Sequence, residues 1–163
     1  MCNRGGTSRT ESRGFTFIEL LIVISIISMV AGLALFTDIS SYRGDAFRAE
    51  VNLLGIALQT ARADALNNVN QSRHGVAIHP TECNGYILFE GRNFSTANHA
   101  LDVCIKTLYE VTITPTSEVI FDQLSGDALT NTGSNYDGNI MFTDPNRTIT
   151  ANISINHEGK ISW

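Results

Sequence analysis

The sequence predicts an α+β fold, a long N-terminal helix leading into an antiparallel β-sheet head. Three observations carry the prediction. Phe15–Phe36 is a predominantly apolar run whose only charged residue is Glu19. Between Phe47 and Ala65, apolar residues recur at steps of four and three, the period of one helix face. From Arg73 onward, short runs of β-branched and aromatic residues alternate with turn residues, as in strands. With 163 residues, 43% apolar and 17% charged, the chain can bury one core beside an apolar segment and is too apolar for disorder.

The apolar run reads FTFIELLIVISIISMVAGLALF, and its twenty-two residues would span about 33 Å as a helix. That is close to the hydrocarbon thickness of a bilayer. Arg4, Arg9 and Arg13 precede it, and no Lys or Arg follows until Arg43. The positive-inside tendency then puts the N-terminus in the cytoplasm and everything after Thr37 outside. Three readings compete. One is a secretory signal cut behind its core at Ala31-Gly32-Leu33-Ala34. Another is a plain signal anchor. The third is a short basic leader, residues 1–14, cut between Gly14 and Phe15.

Glu19 separates them. A charge that deep in an apolar run costs about 2.5–3.5 kcal/mol on insertion scales, and the first two readings leave it unexplained. A cut before Phe15 creates an α-amino group four residues from Glu19. In a bundle of such helices, Glu19 of one subunit can meet the Phe15 amine of its neighbour, away from water, where opposite charges attract strongly. The cysteines agree with the cut. Cys2, Cys83 and Cys104 make an odd count, awkward for an exported protein, and losing Cys2 with the leader leaves two that can pair.

Arg13-Gly14-Phe15-Thr16-Phe17-Ile18-Glu19-Leu20 resembles the class III signal of type IV pilins and type II secretion pseudopilins. The resemblance implies that a prepilin peptidase cuts after Gly14, that Phe15 is then N-methylated, and that Glu19 is the glutamate at the fifth mature position. It also implies single-pass anchoring in the inner (cytoplasmic) membrane, a periplasmic or extracellular head, and other pilin or pseudopilin subunits as partners.

Beyond the run, Phe47, Val51, Leu54, Leu58, Ala61 and Ala65 line one helix face. That stripe is expected to take the sheet of the head, with Arg48, Glu50, Asn52, Gln59 and Asp64 largely elsewhere. Asn67-Asn68 and Asn70-Gln71-Ser72 mark the helix end. Expected strands are His74–His79, Tyr86–Phe89, Leu108–Ile113, Val119–Phe121, Asn139–Thr143, Thr148–Ile155 and Lys160–Trp163. Asp144-Pro145-Asn146 and His157-Glu158-Gly159 read as hairpin turns, and Leu124–Gly138 as a surface loop. The chain thus divides into a leader (1–14), a membrane part (15–36), an amphipathic continuation (37–70) and a β-rich head (71–163).

A finer resemblance follows. Ala49–Leu54 and Leu58–Leu66, with the pair Ala61-Arg62, are similar to the helix of H-type minor pseudopilins (GspH) and their FimT-like relatives. Ile153–Ile161 is similar to their closing hairpin, and Asn139–Phe142 to the strand before it, although Asp144-Pro145-Asn146 stands where a glycine turn is more usual. Cys83–Gly138 carries no such signal. The resemblance implies a minor pseudopilin of a type II secretion system that starts assembly or touches secreted cargo. The alternative is a FimT-like minor pilin of a type IV pilus, serving assembly, adhesion or DNA uptake.

Few residues suggest chemistry. Cys83 and Cys104 lie 21 positions apart, and a disulfide is one reading. A metal site built with His79 and His99 is the other, without the close spacing usual for zinc. Asp122, Asp127, Asp137 and Asp144 surround the polar loop. They could hold calcium or form a solvated acidic surface, and the H-type resemblance implies no calcium loop. His74 and His157 sit near turns or strand ends. No Gly-x-Ser-x-Gly, His-Glu-x-x-His or phosphate-binding glycine loop occurs, so neither an enzyme nor a cofactor is expected. From Gln71 onward there are five basic and ten acidic residues, a poor match for nucleic acid. A local patch at Arg147 and Lys160 is the one exception.

Overall fold

The computed structural model describes residues 15–37, 39–114, 117–146 and 149–163, with side chains to Leu33 in the first helix and from Arg43 onward. The expected leader 1–14, with Cys2 and Gly14, lies outside the described residues, as does Arg147. The chain forms two compact units, Met1–Ser41 and Tyr42–Trp163. Helix α1 covers Phe17–Thr37 and helix α2 covers Ile39–Leu66, with Asp38 between them not described. The unit boundary falls inside α2, so most of the expected amphipathic continuation belongs with the head.

The head is α+β, a helix packed on antiparallel sheets. It holds two sheets where the sequence suggested one. Sheet A runs β3 (Val103–Lys106), β2 (Gly85–Glu90), β1 (His74–Ile78), β5 (Glu118–Phe121), β6 (Ala128–Leu129). Sheet B runs β4 (Thr112–Thr114), β7 (Gly138–Thr143), β8 (Thr150–Ile155), β9 (Ile161–Ser162). Every pairing is antiparallel.

The predicted α2 stripe is the centre of the core. Phe47, Val51, Leu54, Leu58, Ala61 and Ala65 are all buried, and Ala57 joins them. They cluster with Val76, Tyr86 and Phe121 from sheet A and with Ile140, Phe142 and Ile153 from sheet B. One apolar helix face therefore bridges both sheets. The opposite face of sheet A has its own smaller core, formed by Ala77, Cys83, Ile87, Phe89, Ile120 and Leu129 and capped by Phe94 and Ala97. Strand β1 is buried along its whole length because both faces of the sheet are covered. Helix α2 stops where the asparagines foretold, with Asn68 left-handed at φ +56°, a conformation that asparagine tolerates better than most residues.

Several elements differ from expectation, each for a local reason. Glu50, expected away from the core, is fully buried. Its carboxylate accepts the Tyr86 hydroxyl at 2.6 Å and the Leu108 and Tyr109 backbone N–H groups at 2.7 and 3.1 Å. The expected strand Leu108–Ile113 is shortened to Thr112–Thr114. Leu108 and Tyr109 give their amides to Glu50 instead of to a neighbouring strand. Within Leu124–Gly138, read as loop, lies β6, whose two residues are too few to show alternation. Strand β3 was not foreseen, because its residues are exposed or half-buried and show no polar–apolar alternation.

The chain end is also fixed on the helix. Trp163 lies against Gly55, where a Cβ would stand 2.9 Å from the indole, and its Nε1–H donates to Asn52 Oδ1 at 2.9 Å. The expected strand Lys160–Trp163 is limited to Ile161–Ser162 accordingly. Arg62 Nη2 donates to the Glu158 carbonyl at 3.0 Å in the β8–β9 turn. Gly159 in that turn has φ +71° and leaves no room for a Cβ beside Gly126.

Removing Glu50 strands a buried hydroxyl and two part-buried amides. Glu50→Ala is expected to cost about 3 kcal/mol or more, and Tyr86→Phe about 2 kcal/mol, both read by urea unfolding. The Tyr86 hydroxyl is pushed well above its ordinary value of 10.0, first by burial and then by its bond to Glu50. The folded state therefore holds this proton more tightly than the unfolded state. That stabilisation is complete below pH ~10 and is lost as pH rises further, by up to ~1.4 kcal/mol per unit. Tyr86→Phe should flatten the alkaline limb of stability against pH. A limb as steep as that of the wild type would assign it to other groups.

Candidate functional site

The residues singled out at the N-terminus fall at the start of α1. Thr16 precedes the helix, and its Oγ1 accepts the Glu19 N–H at 3.3 Å while its carbonyl accepts the Leu20 N–H at 3.2 Å. Thr16 is thus the N-cap and Glu19 the third helical residue, the spacing of a capping box. A carboxylate in the first turn also faces the positive end of the helix dipole. Glu19 therefore has a local role in starting α1. That role does not remove the cost of its charge in an apolar medium.

The remainder of α1 has no polar face. Phe17, Ile18, Leu20, Ile22, Ile24, Ile27 and Val30 are all more than half exposed, and they lie around the full circumference. Ser25 returns its hydroxyl to the Ile22 carbonyl at 2.8 Å, so it presents no free donor. A helix that is apolar all round belongs in a core or a membrane, and the described residues of its own unit do not cover it.

Among the described residues no helix is long and apolar enough to cross a membrane. The side chains so described stop at Leu33 in α1. The α1 backbone itself is helical for 21 residues, about 31 Å, and the sequence carries no charge from Leu20 to Thr37. At 21 residues the α1 backbone has about the length of a bilayer core.

In the head, Cys83 and Cys104 form a disulfide with a Cα–Cα distance of 6.0 Å. It joins the β1–β2 turn to the edge strand β3. The other members of the conceivable metal set lie apart. His79 packs edge-on against Tyr86, and His99 Nδ1 pairs with Asp102 Oδ2 at 2.7 Å while its ring meets Phe94. The acidic residues disperse as well. Asp122 pairs with Arg73 at 2.6 Å, and Asp144 accepts the Tyr109 hydroxyl at 2.6 Å. That bond is the leading cause that raises the Tyr109 hydroxyl above its ordinary value. Among the described residues no three His, Cys, Asp or Glu side chains are grouped to hold a metal. His74 Nε2 lies 3.0 Å from the Val69 carbonyl, and the His157 carbonyl accepts the Ala128 N–H.

Residues 9–35 match the family model for the prokaryotic N-terminal methylation motif. The match takes in the second part of the basic leader, the Gly14–Phe15 junction, Glu19 and nearly all of α1, and none of the head. It supports a membrane-anchored, prepilin-type chain, processed by a prepilin peptidase and assembled with other pilin-like subunits. No curated protein and no solved structure matches the chain.

The residues missed by sequence reasoning are Glu50, Tyr86 and Arg62. A glutamate on the flank of an apolar stripe carries no mark of burial. Arg62 was marked only within the pair Ala61-Arg62, and nothing local tied it to the Glu158 turn. The disulfide closes a loop that the chain-entropy model values at about 3 kcal/mol. Reduction, or the pair Cys83→Ser and Cys104→Ser, should lower the urea midpoint by that equivalent. An unchanged midpoint would show that the crosslink is idle in the folded head.

Proposed function

We propose that this chain is a minor pseudopilin of a type II secretion system, a structural subunit that enters the pseudopilus through α1 and carries its head outside the helical core. The observation that carries the reading is α1 itself. It is apolar on all sides, has one carboxylate in its first turn, and stands directly behind Gly14–Phe15 within the methylation motif. The proposed order of events is insertion with the N-terminus in the cytoplasm, cleavage after Gly14, N-methylation of Phe15, and packing among neighbouring helices. Glu19 of one subunit then pairs with the Phe15 amine of the next and sets their axial register.

The finer, H-type assignment is supported by one contact. The two segments that carry that resemblance, the α2 stretch with Ala61-Arg62 and the closing hairpin, meet through Arg62 and Glu158. The same subunit design serves a type IV pilus, and the genes neighbouring this one would distinguish the two machines.

Glu19→Ala should still insert and still be cleaved, because the cut lies outside the pair. Its assembled fraction should fall by about tenfold, the effect of losing ~1.4 kcal/mol per contact. Normal assembly would remove the proposed pairing. Mass spectrometry of the mature protein should find N-methylated Phe15 as the first residue. An intact Gly14–Phe15 bond would overturn the processing and with it the subunit reading.

A further inference from the structure

Among the described residues, no strand pairs with the outer side of β3, one of the two edge strands of sheet A. Val103 is 56% exposed and the preceding Leu101 54%. The orientation of its backbone follows from one bond. Thr107 N–H donates to the Asn84 carbonyl at 3.0 Å, and these residues extend the β2–β3 register in which Gly85 faces Lys106. Antiparallel strands alternate residues that bond to a given neighbour with residues whose N–H and C=O point the other way. Val103 and Ile105 therefore bond toward β2, while Cys104 and Lys106 direct their backbone groups to the open side. The crosslink to Cys83 pins this edge in place.

Beside the edge, on the α2 side, is a concavity of about 220 Å³ whose apolar lining includes Ala61, Val69, Leu88, Leu101 and Val103. Val103 and Ile105 lie on this side by strand alternation, and Ile105 packs against the main core. Asp64 and Glu90 stand in the same lining. Glu90 is bonded there by the neutral Asn70 amide at 2.8 Å. Lys106 belongs to the opposite face of the sheet by the same alternation, and Arg92 lies beyond the end of β2.

We propose that β3 and this groove form a docking edge for an extended segment of another protein, with an apolar residue flanked by Lys or Arg. The segment would add to sheet A as a sixth strand, taking main-chain bonds from Cys104 and Lys106. Its apolar side chain would enter the groove, and its cations would face Asp64 and Glu90. Because the crosslink holds β3 in its strand conformation beforehand, little ordering is required on binding. The proposal stands independently of the secretion reading.

The test uses full-length protein in detergent micelles and a fluorescein-labelled Lys-Thr-Val-Thr-Val-Thr-Lys peptide, followed by anisotropy against protein-free micelles. The peptide should bind saturably. N-methylation of its alternate amides should weaken binding at least about tenfold, and replacing both lysines by glutamate several-fold. Lys106→Pro removes one outward N–H without touching the β2 ladder, and should weaken the parent peptide about tenfold while leaving the unfolding curve in place. Equal binding of the N-methylated peptide, or no saturable binding, overturns the proposal even if Lys106→Pro fails to fold. Self-association that Lys106→Pro abolishes, in the absence of peptide binding, assigns the edge to a second copy of the chain and also overturns it.

Discussion

The head is organised around one buried carboxylate. Glu50 leaves α2 on the flank of the apolar stripe and bonds the Tyr86 hydroxyl in sheet A and two amides in the segment that leads to sheet B. Apolar contact is non-directional, so the stripe alone would let two sheets slide on the helix. Three hydrogen bonds to one group fix the sheets relative to each other and to α2. The arrangement is also vulnerable, because the Glu50 carboxylate and the Tyr86 hydroxyl are both costly to leave unpaired in the interior.

Much of this architecture was legible in the sequence. The six stripe residues of α2 follow helical spacing so closely that burial could be assigned one by one, and all six are buried. The hairpins at Asp144-Pro145-Asn146 and His157-Glu158-Gly159 announce themselves through residues suited to turns. The division into two sheets was not legible. It depends on long-range pairing across Leu108–Ser117 and on Glu50, whose partners lie 36 to 59 positions away. Short strands such as β6 carry too few residues for a period to show.

The two ends of the molecule were legible to different degrees. At the N-terminus a handful of closely spaced residues, Gly14, Phe15 and Glu19, fall within the methylation motif, and their spacing is the signal. In the head the informative contacts join distant residues. Arg62 on the helix holds the Glu158 turn, and Trp163 rests on Gly55. Neither pair can be recognised by local periodicity. The same two contacts tie the last hairpin down on α2, which is why so short a strand as β9 has a defined place.

Helix α1 has a geometric consequence of its own. With apolar side chains around its whole circumference, it meets an apolar medium equally well at any azimuth. The carboxylate of Glu19 breaks the symmetry along the axis, at one end. The two ends of the helix are therefore chemically distinct, while its side-chain pattern distinguishes no azimuth from another.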